Sequence, residues 1–269
     1  MPDKELVTIR EKLDELYALY NHREFVYPDP LAFLYDYHGF QDREIVGLIA
    51  SSLAYGRVAQ ILKSVSSILE RMNPSPYSFL LNSSRKTLLS RFTDFKYRFT
   101  TGKELASLLW ALKCVIERYG SLYVCFTAGL NNDDNTILPA LSSFVKELNV
   151  SPSGRKNSLL PSPNRGSACK RLNLFLRWMV RQDNVDPGGW SKVPVSKLIV
   201  PLDTHMHRIC FKLNLTRRKQ ADMRTAIDIT YAFRRIIPED PVRYDFAITR
   251  LGIRKDGDLA EFLKECGLR

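Results

Sequence analysis

The sequence predicts an all-α protein, on three observations. Apolar residues recur three and four positions apart along nearly the whole chain, as they do on the buried face of an amphipathic helix. Proline, glycine and capping residues interrupt that pattern at intervals typical of helix ends. No series of alternating apolar and polar residues indicates a strand, and no repeat or low-complexity tract is present. A chain of 269 residues with 45% hydrophobic and 26% charged residues can bury a sizeable core.

The helices are predicted in order from the N-terminus. Residues 5–20 form the first, and Pro30 opens a short second one, because proline is tolerated in a first helical turn. Residues 42–56 and 57–72 form a helical hairpin, and Asp42 is expected to cap the first of its two helices. Further helices are predicted at residues 76–92 in short pieces, 101–119, 121–130, 136–148, 167–181, 204–213, 220–236, 241–251 and 257–263.

Irregular loops lie on both sides of the predicted helix at residues 167–181. Residues 149–167 combine proline and glycine with serine, asparagine and arginine, so their free amides and cations suit a phosphate backbone. Residues 182–196 form the second loop. Gly120 is expected to end the helix at residues 101–119.

The positive charge of the chain is concentrated in one quarter of it. Residues 151–219 carry 14 Lys and Arg against 3 acidic residues, whereas the rest of the chain has equal numbers of each sign. Such a concentration is typical of a surface that binds a polyanion. A solvated basic face without a partner is the alternative. Acidic lipid is less favoured, because no helix combines a wholly basic face with an exposed aromatic one.

The N-terminus and the cysteines bear on the compartment of the protein. The N-terminus is charged and amphipathic, and no apolar run is long enough to span a bilayer, which predicts a cytoplasmic protein without membrane contact. The five cysteines are odd in number and form no CxxC pair. This disfavours a disulfide framework, a zinc knuckle and a four-cysteine iron–sulfur cluster, so we expect structural thiols.

Asp203 lies where a helix is predicted to begin. It follows an apolar run, and an amphipathic pattern starts at the next residue. An aspartate in that position accepts hydrogen bonds from the amides of the first turn, and a structural cap is its ordinary role. His205 and His207 suggest a metal site with Asp203, but residues two apart on a helix face different directions. We therefore expect no metal, and His205 is interpreted as a packing or cap-supporting residue.

Lys170 is the second residue with potential for chemistry. It lies in the first turn of the predicted helix at residues 167–181, beside Arg171. Positive potential from the helix N-terminus and the neighbouring cations favours the neutral, nucleophilic amine. An ordinary surface lysine is the alternative.

Two segments resemble the helix-hairpin-helix DNA glycosylase superfamily, which includes endonuclease III, adenine glycosylases and 8-oxoguanine glycosylases. LIVPLDTHMHRICFKLN carries the pattern D-T-H-x-x-R at Asp203, Thr204, His205 and Arg208. GSACKRLNLFLRWMV is similar to the segment in which Gly-x-x-x-Lys opens the helix of the nucleophilic lysine, here Lys170. IVGLIASSLAYGRVAQILKSV and YDFAITRLG are similar more weakly. The interval of 33 residues between the lysine and the aspartate resembles that of the archaeal 8-oxoguanine glycosylase branch.

The resemblance implies a domain organisation with two helical subdomains and a cleft between them. Residues 1–28 and 195–269 would form one subdomain, which carries Asp203. Residues 29–194 would form a helical bundle that carries Lys170.

The resemblance also implies base-excision repair of DNA. The enzyme would flip a damaged base, such as 8-oxoguanine, out of the duplex, and Lys170 would attack the sugar and form a Schiff base. Asp203 would stabilise the developing positive charge, with AP-lyase cleavage by β-elimination as a further step. Thr204 and His205 would support the site, and the protein would act as a monomer without cofactor or metal. The expected DNA contacts are Arg165, Gly166, Ser167, Arg171 and Arg208.

Two alternatives stay open at this point. The chain could be a catalytically inactive nucleic-acid-binding protein on the same scaffold. It could also be a basic all-α interaction protein with no nucleic-acid role, which would not be retained on DNA at low salt.

Overall fold

Helix is the dominant element of the structure, with 62% helix and 3% strand, which confirms the all-α prediction. The structure is a computed structural model that describes residues 3–149, 157–253 and 259–267. Residues 150–156 of the predicted loop and residues 257–258 of the last predicted helix lie outside this part. None of the described helices is long and apolar enough to cross a membrane.

The order of the elements follows the predicted order closely, with one hairpin added. The α-helices and strands are α1 (Asp3–Tyr20), α2 (Phe40–Ser52), α3 (Val58–Glu70), α4 (Pro76–Asn82), α5 (Arg85–Arg91), β1 (Lys96–Tyr97), β2 (Thr100–Thr101), α6 (Gly102–Tyr119), α7 (Leu122–Thr127), α8 (Leu138–Leu148), α9 (Lys170–Val180), α10 (Thr204–Lys212), α11 (Met223–Ile236), α12 (Asp245–Ile253) and α13 (Leu259–Glu265). Short 3₁₀ helices lie at Arg23–Phe25, Pro30–Asp36, Pro163–Arg165 and Val195–Lys197.

The chain forms two compact units. The terminal unit comprises Met1–Val26 and Arg165–Arg269, and the central unit comprises Tyr27–Asn164. The second boundary therefore falls thirty residues before the predicted one, at 164–165 and not at 194–195. Lys170 belongs to the unit that contains Asp203, so its predicted place in the helical bundle at residues 29–194 was wrong.

Helix α6 organises the core of the central unit. Leu105, Leu109 and Leu112 lie on its buried face, and α6 contacts α4, α5, α7 and α8. Thr101 forms a capping box with Glu104 at its start, with both side chains bonded to backbone amides. Gly120 ends α6 with φ 85°, as predicted.

Two acidic residues of α2 cap other helices. The prediction that Asp42 caps α2 was wrong, because Gly39 is the N-cap and makes no side-chain hydrogen bond. The Asp42 carboxylate accepts a hydrogen bond from the Tyr77 amide at 2.8 Å, in the first turn of α4. Glu44 is 1% exposed and accepts hydrogen bonds from the amides of Leu122 and Tyr123, which open α7. These carboxylates satisfy donors that a helix leaves unpaired at its N-terminus.

The terminal unit packs α1 against α11 and α12, and α10 against α12. The Tyr244 hydroxyl donates to Asp14 Oδ1 at 2.7 Å, and the Tyr17 hydroxyl donates to Asp183 Oδ2 at 2.9 Å. The N-terminal helix is therefore joined by side-chain hydrogen bonds to segments more than 160 residues away along the chain.

Candidate active site

Asp203 is the N-cap of α10. Its backbone is extended, with φ −114° and ψ −174°, and its Oδ1 accepts a hydrogen bond from the Met206 amide at 2.8 Å. The cap thus occupies one carboxylate oxygen and fixes the direction of the other. The side chain of Asp203 keeps 20% exposure, so solvent or a ligand can reach it.

Lys170 lies beside the second carboxylate oxygen of Asp203. Its Nζ is 3.4 Å from Oδ2, and its side chain is 34% exposed. Lys170 is also the first residue of α9, where unpaired backbone amides add positive potential. The structure therefore places these two residues together at the N-terminal ends of two helices. An amine and a carboxylate at this distance can form an ion pair or exchange a proton.

A buried ion cluster anchors α9 within the terminal unit. Arg177 is 3% exposed and Arg181 is 4% exposed, and both bind the fully buried carboxylate of Asp186. Their other partners are Asp183 and Asp240 for Arg181, and Asp245 for Arg177. The cluster explains why α9 belongs to this unit, because buried charges are stable only when they are paired.

The cluster also affects the electrostatics of the candidate site. Burial raises the pKa of Asp245 to about 6, and the positive charge of Arg177 opposes the rise. The negative charge of Asp203 contributes to the same rise. The carboxylate of Asp203 therefore interacts electrostatically both with the amine of Lys170 and with the buried carboxyl group of Asp245.

Arg177 and Arg181 do not belong to the basic surface that the charge pattern predicted. They account for 2 of the 14 cations in residues 151–219. Their guanidinium groups are buried against carboxylates, so they serve packing and stability in place of contact with a polyanion.

Three of the predicted DNA contacts lie in the loop just before α9. Arg165, Gly166 and Ser167 are exposed. Gly166 has φ 79°, a conformation that favours glycine, and its carbonyl accepts a hydrogen bond from the Met223 amide at 3.0 Å. The loop is thus fixed to the start of α11, while its side chains stay open to solvent.

The segment before α11 brings further cations to this loop. Asp222 forms an isolated backbone bridge with the loop and holds Arg218 through an ion pair of 3.1 Å. Arg217 and Lys219 are exposed on either side of Arg218. His207 Nε2 lies 2.8 Å from the Arg218 carbonyl, which joins the segment to α10. The predicted DNA contacts do not include this Arg-Arg-Lys run, although three consecutive cations are a sequence signal that identifies it.

The remaining predicted site residues lie on the two helices that carry Lys170 and Asp203. Thr204 and Arg208 are exposed on α10, and Arg171 is half-buried on α9. His205 is half-buried, and its Nδ1 has no hydrogen-bond partner among the described residues. No group of three His, Cys, Asp or Glu side chains in the described part of the chain could hold a metal ion.

Cys169 precedes Lys170 but is not a competing nucleophile. It is the N-cap of α9 and adopts a left-handed backbone with φ 48°. The side chain is 1% exposed, and burial raises the pKa of its thiol to about 11, so the reactive thiolate is scarce near neutral pH. Each of the five cysteines is a free thiol, and all except Cys114 are buried.

Comparison with protein families matches residues 29–254 to the family described as "Protein of unknown function (DUF2400)". No curated protein and no solved structure matches the chain.

Proposed function

The chain belongs to the DUF2400 family, and since that description assigns no activity, we propose from the site itself that the protein is a DNA base-excision glycosylase with AP-lyase activity. One observation carries the proposal: the 3.4 Å approach of Lys170 Nζ to Asp203 Oδ2. The resemblance of both flanking segments to the helix-hairpin-helix glycosylases supports it. The exposed cations Arg165, Arg217 and Lys219 supply a surface suited to phosphates.

Lys170 is the proposed nucleophile and Asp203 its proton acceptor. Asp203 takes a proton from the ammonium group, and the neutral amine forms a bond to the sugar carbon C1′ while the bond from C1′ to the base breaks. The base leaves with the bonding electrons and takes up a proton. The carboxylate of Asp203 also stabilises the positive charge that develops on the sugar, and its capping hydrogen bond with the Met206 amide holds it in one orientation.

The lyase step follows from the same amine. Opening of the sugar ring breaks the bond from C1′ to O4′, O4′ takes up a proton, and C1′ forms a protonated imine with Lys170 Nζ. Loss of a proton from C2′ then expels the 3′ phosphate and cleaves the strand. We propose an oxidised purine such as 8-oxoguanine as the base, on the resemblance alone.

Covalent trapping with borohydride tests the mechanism. Hydride adds to the imine carbon and leaves a stable amine link between enzyme and DNA. Duplexes with a single abasic site present the sugar aldehyde directly, so they test the lysine without any requirement for base recognition. Duplexes with 8-oxoguanine or another lesion then test base removal.

Matched variants identify the amine that reacts. Lys170→Ala should abolish the adduct on both kinds of duplex. Lys212→Ala removes an exposed cation from the last turn of α10 and should leave trapping unchanged. An undiminished adduct in Lys170→Ala would reject the assignment of the nucleophile. Salt-sensitive DNA binding without an adduct on any lesion or abasic site would instead favour the inactive binding protein.

A further inference from the structure

The hairpin of the central unit carries an exposed aromatic side chain at its tip. Strands β1 and β2 pair antiparallel with Tyr97 opposite Thr100, so Arg98 and Phe99 form the two-residue turn. Phe99 is 65% exposed. A single exposed apolar residue is common on protein surfaces, so its surroundings decide whether it has a role.

Phe99 is held in place by a second aromatic ring. Its ring stacks on that of Tyr55, with centroids 5.0 Å apart and an angle of 15° between the planes. The Tyr55 hydroxyl lies 2.7 Å from Thr100 Oγ1, and the Tyr97 hydroxyl donates to the Tyr55 carbonyl. Because Tyr55 covers one face of Phe99, the exposed area belongs to the opposite face and the edges. The stack is thus fixed in advance and open on one side to a further flat ring.

The turn keeps an arginine where the backbone favours glycine or asparagine. Arg98 has φ 51°, in the left-handed region, and two-residue hairpin turns usually place Gly, Asn or Asp there. Gly56 makes room for it, since a Cβ on Gly56 would lie 2.6 Å from an Arg98 guanidinium nitrogen. An unfavourable backbone at an exposed position suggests that the side chain is kept for a contact outside the fold.

A basic pocket of about 510 Å³ lies next to the hairpin, between α3 and residues 94–98. Arg71 is engaged by Asp94 through two hydrogen bonds of 2.7 and 2.9 Å. In the described part of the chain, the other three cations of the lining form no ion pair. These three are Lys63, Lys96 and Arg98. The pocket therefore carries a positive excess, with Ser64 and Ser67 as neutral hydrogen-bonding groups in the same wall.

We propose that this hairpin face, formed by Tyr55, Phe99 and the pocket cations, binds unpaired nucleotides of a nucleic-acid strand. A base stacks on the open side of Phe99, and neighbouring phosphates bind Lys63, Lys96 and Arg98. Fixed aromatic rings combined with a cationic groove are the usual means of binding single strands without regard to sequence. The pocket volume of about 510 Å³ is also within the range of pockets that bind small molecules. The site lies within the central unit and does not depend on the roles of Lys170 and Asp203.

Binding of single-stranded probes to the full-length chain tests this site. Fluorescence anisotropy would compare a twelve-nucleotide thymidine strand with a strand of the same length whose sugars carry no bases. Phe99→Ala should weaken binding of the thymidine strand by about 5- to 150-fold, the range for loss of one stacked base. The base-free strand should bind Phe99→Ala and wild type equally, because it has no base to stack. Phe99→Trp should restore binding of the thymidine strand.

Controls separate stacking from general loss of apolar or charged surface. Val124→Ala truncates another exposed apolar residue of the same unit and should bind as wild type does. The double variant Lys63→Ala with Lys96→Ala should weaken both strands and reduce the salt dependence. Arg98→Gly should weaken both strands while it raises the melting temperature, because glycine relieves the left-handed backbone.

Three results would overturn the proposal. The first is equal affinity of Phe99→Ala and wild type for the thymidine strand. The second is an equal loss of affinity for both strands in Phe99→Ala, which would show that no base is stacked. The third is binding to vesicles of anionic phospholipid without binding to either strand. Each readout is non-covalent, so it can fail while borohydride trapping succeeds, and the reverse also holds.

Discussion

The observed cap of Asp203 and its proposed chemistry can be separated by substitution. One carboxylate oxygen caps α10 by accepting the Met206 amide, and the other faces Lys170 at 3.4 Å. Asparagine caps helices about as well as aspartate does, but it carries no charge and is a poor proton acceptor. Asp203→Asn should therefore keep the fold and lose the proposed chemistry, whereas Asp203→Ala should lose both the cap and the chemistry.

The expected magnitudes follow from the exposure of the two side chains. Loss of the capping bond costs about 1 kcal/mol of unfolding free energy. The ion pair adds less than about 1 kcal/mol, because the lysine is a third exposed and solvent screens the pair. The unfolding free energy of Asp203→Asn should thus be within about 1 kcal/mol of the wild-type value, and that of Asp203→Ala should be about 1 to 2 kcal/mol lower than wild type. Both should slow covalent trapping by about 100-fold or more, the typical contribution of a positioned acid or base.

Urea unfolding and single-turnover trapping on an abasic duplex measure the two effects side by side. Ser121→Ala serves as the control. The Ser121 side chain caps α7 in the central unit by accepting a hydrogen bond from the Val124 amide, and the substitution removes that cap. Ser121→Ala should lose about 1 kcal/mol of unfolding free energy and trap DNA at the wild-type rate. Trapping by Asp203→Asn at the wild-type rate would refute the catalytic role. Equal destabilisation by asparagine and alanine would refute the capping role.

Two further predictions concern the buried ion cluster. Asp186→Ala should lower the unfolding free energy by about 3 to 5 kcal/mol, because Arg177 and Arg181 lose a shared buried partner. Glu147→Gln, which breaks the partly exposed ion pair with Arg118, should lower it by less than about 1 kcal/mol. Urea midpoints of the two variants check this, and similar losses would contradict it. Burial alone would raise the pKa of Asp183, but the charge of Arg181 and the hydrogen bonds that Asp183 accepts outweigh burial and hold that pKa below 3.8. The carboxylate therefore stabilises the fold above about pH 4 and ceases to do so as the pH falls through its lowered pKa, so Asp183→Asn should show a shallower acid loss of stability. Equal slopes in a pH series of urea unfolding would reject this account.

Local signals in the sequence predicted those features whose partners lie within one helical turn. Asp203 as a cap depends on the amide three residues later, and Gly120 as a stop depends on its own backbone conformation. Asp42 was assigned to the wrong helix, because the amide that it caps lies 35 residues further along the chain. The approach of Lys170 to Asp203 was expected from a resemblance, and no spacing within the sequence could have given it.

The position of charge on the surface was the feature least predictable from the sequence. Some cations expected on the surface are buried, and a basic surface lies where the sequence is electrically balanced. Arg177 and Arg181 counted as part of a basic surface, but both are buried: Arg177 pairs with Asp245, 68 residues away, and Arg181 with Asp240, 59 residues away. The central unit lies almost wholly within the part of the chain that has equal numbers of both signs, yet beside the hairpin it concentrates cations that form no ion pair with any described residue. A count of charged residues in a segment of the sequence does not show which of them come together on the surface after folding. The hairpin itself escaped prediction because its strands are two residues long and its turn contains no glycine or asparagine.

The buried cluster gives the candidate nucleophile its position. Lys170 is the first residue of α9, Arg177 lies two turns further along the same helix, and Arg181 is the C-cap at its end. A helix fixed by buried ion pairs near its C-terminus has a defined axis, and its first residue then has a defined place relative to α10. Because Asp186 binds both arginines, Asp186→Ala should lower stability and also slow trapping in the fraction that stays folded. Of the two arginines, Asp183 binds only Arg181, which keeps Asp186 and Asp240 as partners, so Asp183→Asn should trap DNA normally at neutral pH. Normal trapping by folded Asp186→Ala would show that α9 needs no anchor to hold its lysine.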